Sequence, residues 1–267
     1  MCRRTVAKLA MMLAVFGAYV ADARAQEVAE KILSASNDFV SSRSFEREET
    51  VEQKSRLLMA DKTPLDLPSS KQTSVIEVDA ANLLVRLTTK DQGKDLLVIR
   101  KGNSVAMKLG SGSWTKPQGP YARLGDQLAN PFACPLPKRG GKQSPKWRIV
   151  GREVLNGQET TVIETVRDTA NRYAEERMRE GIVSMFPDAD TRPAIEVLDY
   201  KSRHWIGKDN RRLRVEQTSH TKMTMPGTPK MVIDGTAKTT SVYNRYDKVE
   251  IQMPEEARSI LEPKGRD

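Results

Sequence analysis

Hydrophobic and polar residues alternate with a period of two along three short runs in the first half of the chain. These runs cover residues 83–88, 95–100 and 104–109, and the tight-turn pair Gly102-Asn103 separates the last two. A period of two places successive side chains on opposite faces of a strand. The pattern therefore predicts consecutive antiparallel hairpins.

The same alternation returns after residue 146 and continues almost to Pro254. Asn156-Gly157 is a strong signal for a two-residue hairpin turn, because both residue types tolerate the positive φ that a type I′ turn needs. Candidate strands around and beyond it lie at residues 147–154, 160–166, 195–206, 212–225, 231–243 and 248–253. With the earlier runs, the pattern predicts about eight to eleven strands in a single large antiparallel sheet, a mainly β (α+β) fold.

Two segments follow a helical period instead. Residues 27–41 repeat apolar side chains at helical spacing, and residues 168–186 do the same until Pro187 stops the helix. Met178 and Ile182 lie on the apolar face of the second helix. A sheet of this size must cover its apolar face, and two or three helices cannot cover it fully. The remainder therefore closes on itself, meets a partner or binds an apolar ligand.

The alternation also assigns positions to faces. Leu83, Val85 and Leu87 share one side of their strand. The apolar positions assigned to the same ligand-facing side in the next two runs are Leu97, Ile99, Val105, Met107 and Leu109. The opposite side, which should meet water, carries Arg86, Thr88, Arg100 and Lys108. Together with Met178 and Ile182, the apolar set forms the candidate binding site.

The first 25 residues have the three parts of a secretory signal. A basic start precedes an uncharged apolar stretch at residues 9–20, and Ala23-Arg24-Ala25 supplies a small-x-small cleavage site. The apolar stretch is shorter than the roughly 20 residues that span a bilayer. We therefore expect a signal peptide at residues 1–25, one domain at residues 26–267 and a periplasmic location. An uncleaved anchor helix and a twin-arginine signal are the alternatives.

The composition and the net charge exclude some classes of protein and of binding partner. The chain has 267 residues, 38% of them hydrophobic, and a mean hydropathy of −0.57, which excludes a polytopic membrane protein. Its net charge is +9, and removal of residues 1–25 leaves +6. An exported protein with a positive net charge seldom meets nucleic acid. The charge therefore suits binding to an anionic membrane surface or to an acidic envelope protein. A mildly basic, solvated surface is the alternative.

The chain carries little that could hold a metal or catalyse a reaction. His204 and His220 are sixteen residues apart with no cysteine near them. His204 alternates with Trp205, so we expect it on the opposite face and exposed to water. Cys134 is the only thiol once Cys2 leaves with the signal, so it is either free or paired between chains. Serine-elbow and phosphate-loop motifs are absent, and we expect no enzyme, cofactor or metal.

Two further features leave alternatives open. Residues 110–146 interrupt the sheet, with a possible short helix at residues 121–129. Residues 131–145 form a long, basic, proline-rich loop that is either functional or a solvated connector. Met223, Met225 and Met231 cluster around a proline-rich turn. Methionine suits ligands of irregular shape but also fills ordinary cores, and the sequence does not choose between these roles.

Three hairpin segments, in this order, resemble the LolA-like bacterial lipoprotein carriers and the related mycobacterial lipid-carrier lipoproteins. The first is Gly151–Glu164, which turns at Asn156-Gly157. The second is Trp205–Glu216, with Trp-Ile-Gly before its turn and Leu-Arg-Val-Glu after it. The third is Thr240–Pro254, which contains two tyrosines and ends in Val-x-Ile-x-x-Pro.

The resemblance implies an unclosed half-barrel whose concave apolar face is lidded by helices. It also implies a cavity that binds the acyl chains of lipids or lipoproteins. The sequence therefore favours a periplasmic, non-catalytic binder of an acyl-chain ligand. The alternative is an envelope sensor or scaffold of the same fold that binds a protein partner. A fold-level likeness does not by itself decide between them.

We predict that the mature protein begins at Gln26, because a small residue stands one and three positions before that bond. N-terminal sequencing of the exported protein should read Gln26-Glu27-Val28. Ala25→Leu should leave the precursor uncleaved, since a bulky side chain does not suit the peptidase site. A membrane-bound product of the unchanged chain that starts at Met1 would contradict the prediction.

Overall fold

The computed structural model describes residues 25–59, 62–91, 93–118, 145–185, 188–227 and 231–262. Three predictions fall outside the described residues: the signal peptide with its cleavage site, the short helix at residues 121–129, and the state of Cys134.

The described chain forms eleven strands and three α-helices. The strands are β1 (Phe45–Met59), β2 (Lys62–Asp66), β3 (Ser70–Asp79), β4 (Leu84–Asp91), β5 (Lys94–Lys101), β6 (Ser104–Leu109), β7 (Trp147–Leu155), β8 (Gln158–Thr165), β9 (Ala194–Gly207), β10 (Arg212–Met225) and β11 (Met231–Asn244). The helices are α1 (residues 25–41), α2 (Arg167–Met185) and α3 (Glu255–Leu261), and Ala189–Thr191 forms one 3-10 turn.

All eleven strands belong to one antiparallel sheet, in the order β6-β5-β4-β3-β1-β11-β10-β9-β8-β7, with β2 paired to β1. β6 and β7 stand at opposite ends of that order, so the sheet is not closed into a barrel. Asn156 and Gly157 have φ values of 50° and 76° and make the β7–β8 turn that the sequence predicts. The predicted fold class is confirmed.

One predicted strand is wrong. Residues 248–253 do not pair with a neighbour but lie along the sheet, where Val249 and Ile251 are buried with residues of α3. The backbone N–H of Ile251 donates to the Asp79 carboxylate at 3.1 Å instead of to a strand. Alternate residues are apolar here because one side of an extended segment packs on the sheet, and strand pairing is not needed for that pattern.

Helix α1 packs across one face of the sheet, here called the inner face. Ala29 and Leu33 belong to a buried cluster with Trp147 of β7, and Val40 belongs to another that extends to Met107 of β6. Ala29 and Val40 are separated by about 17 Å of helix. One helix on the inner face therefore takes part in two clusters that together reach both edge strands, β6 and β7.

The opposite, outer face is covered at one end by the C-terminal segment. α3 packs against β5 and β6, and its Leu261 shares a cluster with Ile99 and Trp114. Near the other end, Trp205 is buried without a covering helix, because the guanidinium groups of Arg203 and Arg214 lie 5.0 Å and 5.3 Å from its ring centre. Such cation–π contacts let a large aromatic side chain stay on a charged surface.

Helix α2 protects the part of β9 that extends beyond β8. The Asn171 side chain donates to the carbonyl oxygen of Leu198 at 3.0 Å and accepts from the N–H of Tyr200 at 2.7 Å. One amide side chain thus satisfies two backbone groups that a further strand would otherwise pair. Unpaired strand edges invite association, so this contact keeps the edge closed.

Asp79 ties the C-terminal segment to the end of β3. Its carboxylate accepts from the Asn82 side chain at 2.8 Å and from the N–H groups of Asn82 and Ile251 at 3.2 Å and 3.1 Å. Burial by itself raises the pKa of Asp79, but these hydrogen bonds, together with one from the N–H of Ala81, outweigh it and hold the pKa below its usual value.

We predict that Asp79→Asn lowers the free energy of unfolding by about 2–3 kcal/mol at pH 7, since hydrogen bonds to a charged acceptor are lost. The folded-state pKa lies below the unfolded value, so the ionised form stabilises the fold above about pH 4. That stability is lost as the pH falls through the folded pKa. Urea unfolding should therefore show the two proteins converging at low pH, whereas the exposed control Asp95→Asn should differ little at any pH.

Candidate functional site

The inner face is divided between a covered half and an open half. The covered half lies under the C-terminal part of α1, where Val40 and Phe39 join a cluster formed by β3–β6 with residues of β1, β10 and β11. Five predicted site residues meet in this cluster: Val85, Leu87, Val105, Met107 and Leu109. Val85 is only 7% exposed and Met107 only 6%. This half of the face is a packed core in the described structure.

Three predicted site residues lie elsewhere. Leu83 precedes β4 in a turn, with φ 56° and 75% of its surface exposed. Leu97 and Ile99 lie on the outer face, in the cluster that α3 covers. The register pairs Leu87 with Val98 and Val85 with Arg100, so Val98 and Arg100 take the inner positions of β5. Placing Leu97 and Ile99 inside, and Arg100 outside, was therefore wrong.

The cause of this error is the composition of β5. Residues 96–99 are four consecutive apolar residues, so alternation cannot say which of them face inward. The tight turn at Gly102-Asn103 decides, because it pairs Lys101 with Ser104 and hence Arg100 with Val105. The predicted outward placement of Arg86, Thr88 and Lys108 agrees with the observed register.

Met178 and Ile182 are separated from the β4–β6 cluster. Both belong to α2, which packs along β9 at the other side of the sheet. Ile182 is buried and Met178 is half-buried. Neither residue belongs to the cluster that the other predicted site residues form.

A buried arginine fixes α1 to the sheet. The side chain of Arg212 is fully buried and donates through Nη2 to Asn37 Oδ1 of α1. Its guanidinium lies 5.9 Å from the ring centre of Tyr243, and its backbone oxygen accepts from the Tyr246 hydroxyl at 2.8 Å. A buried charge is tolerated only when hydrogen bonds compensate its desolvation, so this contact specifies where α1 lies.

His204 faces away from Trp205, as predicted, but it is fully buried rather than exposed. It lies on the inner face, where its ring meets Trp147 edge-on at 5.1 Å and Nε2 is 3.0 Å from Ser202 Oγ. Burial, and secondarily the charge of Arg212, lowers the pKa of His204 well below its usual value. The neutral imidazole is part of the packing. Nowhere in the described ranges do three or more His, Cys, Asp or Glu side chains form a group that could hold a metal ion.

The open half of the inner face begins as a floor of small side chains on β1, β10 and β11. Register places them in two adjacent rows, and they are Ser55, Gly235, Thr221, Ala237 and Ser219. The strands approach closely here, since a Cβ on Gly235 would lie 3.1 Å from Ser55 Oγ. Larger residues, Gln53 on β1 and Tyr200 on β9, stand on either side. We call this low region the trough.

Beyond the trough, the inner face becomes apolar at the ends of the long strands. We call this region the methionine end; its members are Leu57, Met59, Ile195, Met223, Met225, Met231 and Ile233. All are half-buried except Met231, which is 37% exposed. These residues are in register with one another across four strands, and they form a continuous apolar surface that the described residues leave partly exposed.

Sequence reasoning singled out the methionines here but missed their neighbours on β1 and β9. The available signal was the loss of alternation at the strand ends. Residues 57–59 and 231–233 are apolar triplets, whereas residues 52–56 before the first are all polar. A triplet places apolar side chains on both faces of a sheet, so it indicates either a strand covered on both faces, as β5 is, or a strand end with partly exposed apolar surface.

Two pockets within the described part of the chain lie around His220, where Nε2 is 2.7 Å from Asp234 Oδ1. Their volumes are about 360 and 510 Å³, and their walls are mainly charged and hydroxyl-bearing side chains of the outer face. Such walls do not suit an acyl chain. The apolar accessible surface is on the inner face.

No protein-family model and no curated protein sequence matches the chain. Among solved structures, it is similar to the Mycobacterium tuberculosis lipoprotein LppX at 11% identity, with 84% of this chain and 98% of that chain covered and a TM-score of 0.42. LprF from Mycobacterium bovis gives 11% identity, 86% and 97% coverage and 0.37. An outer membrane lipoprotein-sorting protein domain from Vibrio parahaemolyticus gives 13%, 87% and 99%, and 0.28.

These similarities concern the fold alone. The three similar structures are two mycobacterial lipoproteins and a lipoprotein-sorting protein domain, the kinds of protein that the three hairpin segments resemble. None of the helices in the described ranges combines the length and the hydropathy that a membrane span requires.

The two halves of the inner face should respond differently to a buried charge. We predict that Val85→Glu lowers the free energy of unfolding by 3 kcal/mol or more, roughly the cost of an unpaired charge in a packed cluster. If Val85 lined a cavity, the same substitution would leave the protein folded and weaken ligand binding. Because Val85 is packed in a core, we expect a loss of stability instead. Met223→Glu should cost about 1 kcal/mol or less, because the carboxylate reaches water at the half-open strand end. Urea unfolding measures both, and equal losses would contradict the division.

Proposed function

We propose that this chain is an exported, non-catalytic carrier that binds the acyl chain of a lipid or lipoprotein on the open half of its inner face. The observation that supports the proposal is the contrast between the two halves. One is filled by α1, whereas the other combines a low trough with an accessible methionine end. A concave wall with apolar lining and few polar groups is the usual form of a lipid site.

The dimensions suit an acyl chain. From Gln217 to Met225, β10 advances about 27 Å, at the usual rise of an antiparallel strand. The chain of one bilayer leaflet extends about 15 Å, half the hydrocarbon thickness. Each methylene removed from water contributes about 0.8 kcal/mol. A single chain therefore has room on the methionine end while a polar group reaches the trough.

The distribution of hydroxyl groups orients the ligand. Ser55, Ser219 and Thr221 lie in the trough, while the side chains of the methionine end carry no oxygen or nitrogen. An amphiphile with its head group over the trough and its chain along the methionines places its polar part beside hydroxyl groups and its apolar part beside apolar side chains. The flexible thioether side chains adapt to chains of different length and branching.

The signal-like N-terminus and the net charge support an envelope location. A periplasmic carrier needs a membrane or an envelope protein as donor and acceptor, and a basic surface suits anionic head groups or an acidic partner. Nucleic acid is not among the expected partners.

A scaffold or sensor that binds a protein partner is the second candidate. The observation that favours it is the filled half of the inner face, where Val40, Phe45 and Val98 pack as an ordinary core. A scaffold would fill the open half in the same way when its partner binds, and it would purify without lipid.

We predict that lipid copurifies with the exported protein, and that the paired variant Met223→Gln with Ile233→Gln retains roughly tenfold less of it. These residues are opposite each other in register, and each substitution exposes the bound chain to a polar group. Native mass spectrometry followed by organic extraction measures the loading. Val154→Gln, at a position 72% exposed on β7, is the control and should change nothing. Lipid-free protein from a lipid-rich envelope would favour the scaffold instead.

A further inference from the structure

The open half of the inner face is partly exposed, yet it carries no charge. From Gln217 to Met225 on β10, and along the segments of β1, β11 and β9 paired with it, none of the described inner positions is Asp, Glu, Lys, Arg or His. Charged residues make up 30% of the whole chain, and positions in contact with water are where they normally occur. The composition of this surface is therefore unusual for the chain.

The outer positions of the same strand segments do carry charges. Both signs are present, and the set includes Glu52, Lys54, Asp199, Lys222, Asp234 and Lys238. Inner and outer positions alternate along the same strands, so strand propensity and place in the sheet are the same for both. The two sets differ in what their face contacts. The lack of charge is therefore a property of the inner face.

On these four strands, the first inner-face charges beyond the trough are already paired with each other. Arg47 Nη2 lies 3.6 Å from Glu49 Oε2, which also accepts from the Ser241 hydroxyl at 3.2 Å. Ser219 lies about 13 Å further along the sheet than this pair. Lys62 of β2 is paired with the far end of β1, beyond the trough. A group bound over the trough therefore meets no counter-charge on the described part of these strands.

The trough instead offers neutral groups that form hydrogen bonds. Ser55, Ser219 and Thr221 supply hydroxyl groups. Beside them, the Gln217 side chain donates to the Tyr200 hydroxyl at 3.2 Å. A hydroxyl group both donates and accepts, so this lining suits the hydroxyl, ester and amide groups of a ligand. A phosphate would lose hydration here without gaining an ion pair, which is costly.

We infer that the open half selects amphiphiles whose head group is uncharged, such as an acylglycerol or an acyl amide, and rejects those that carry a phosphate. The inference deepens the proposed carrier function and rests on it. A carrier that works beside a membrane meets anionic lipids in excess. A site without cations keeps those lipids from occupying the place of the cargo.

Displacement of the dye Nile red from the mature protein by two lipids with the same oleoyl chain tests the inference. Monooleoylglycerol should bind roughly tenfold or more tightly than oleoyl lysophosphatidic acid, because the added phosphate must be desolvated without a counter-charge. Ser219→Lys places a cation in the trough and should raise the affinity for the phosphate lipid about tenfold, with little change for monooleoylglycerol. The matched control is Thr218→Lys, which adds the same charge one residue away on the outer face and should leave both affinities unchanged.

A second variant covers the case in which a lysine at position 219 impairs folding. Gln53 is exposed at an inner position beside the trough, and Gln53→Lys should shift the preference in the same direction. Equal or tighter binding of the phosphate lipid by the unchanged protein would overturn the inference, as would equal gains in Thr218→Lys and Ser219→Lys. A protein that binds neither lipid would overturn the carrier function itself, and the inference with it.

Discussion

The structure depends on one helix that joins the two ends of an open sheet. α1 contributes Ala29 and Leu33 to the cluster of β7–β9, and it contributes Val40 to the cluster that β1, β3–β6, β10 and β11 form. A sheet this wide has no other described element that could hold its ends near each other, since α3 lies on the outer face and α2 lies along β9. The buried hydrogen bond between Arg212 and Asn37 fixes the position of α1 more narrowly than the apolar packing alone does. Without a fixed α1, the inner face would lose its division into a covered half and an open half.

The dependence of the sheet on α1 explains how much of the fold could be predicted from the sequence. Hairpins such as Asn156-Gly157 are local, and their turns set the register of both flanking strands. β1 is different, because its inner positions include Arg47 and Glu49, whose side chains lie 3.6 Å apart beside the Ser241 hydroxyl. These polar residues lie on the inner face because β1 is a central strand, and the local sequence pattern does not predict that position. β1 was therefore the strand that the sequence predicted least well.

For a related reason, only part of the candidate site could be predicted from the sequence. Val85, Leu87 and Met107 alternate correctly and do share the inner face, but alternation reports burial and does not say what buries a residue. Here it is α1, so these positions form core rather than cavity. His204 shows the reverse error, because a lone polar residue at an inner position has the pattern of an exposed one. What covers each face is decided by elements far away in the chain, and single-strand patterns cannot supply it.

The open half has a polarity gradient that follows from strand length. β1, β10 and β11 extend beyond β3, β4 and β8, and their ends are paired with β2, with β9 and with one another. Selection for a stable monomer alone would place charges there, as it does at Lys54 and Arg56 slightly further back. Instead the side chains go from hydroxyl-bearing at Ser219 and Thr221 to thioether at Met223 and Met225. A gradient from polar to apolar along one strand matches an amphiphile that lies parallel to the strand, with its polar group toward Ser219 and its chain toward Met225.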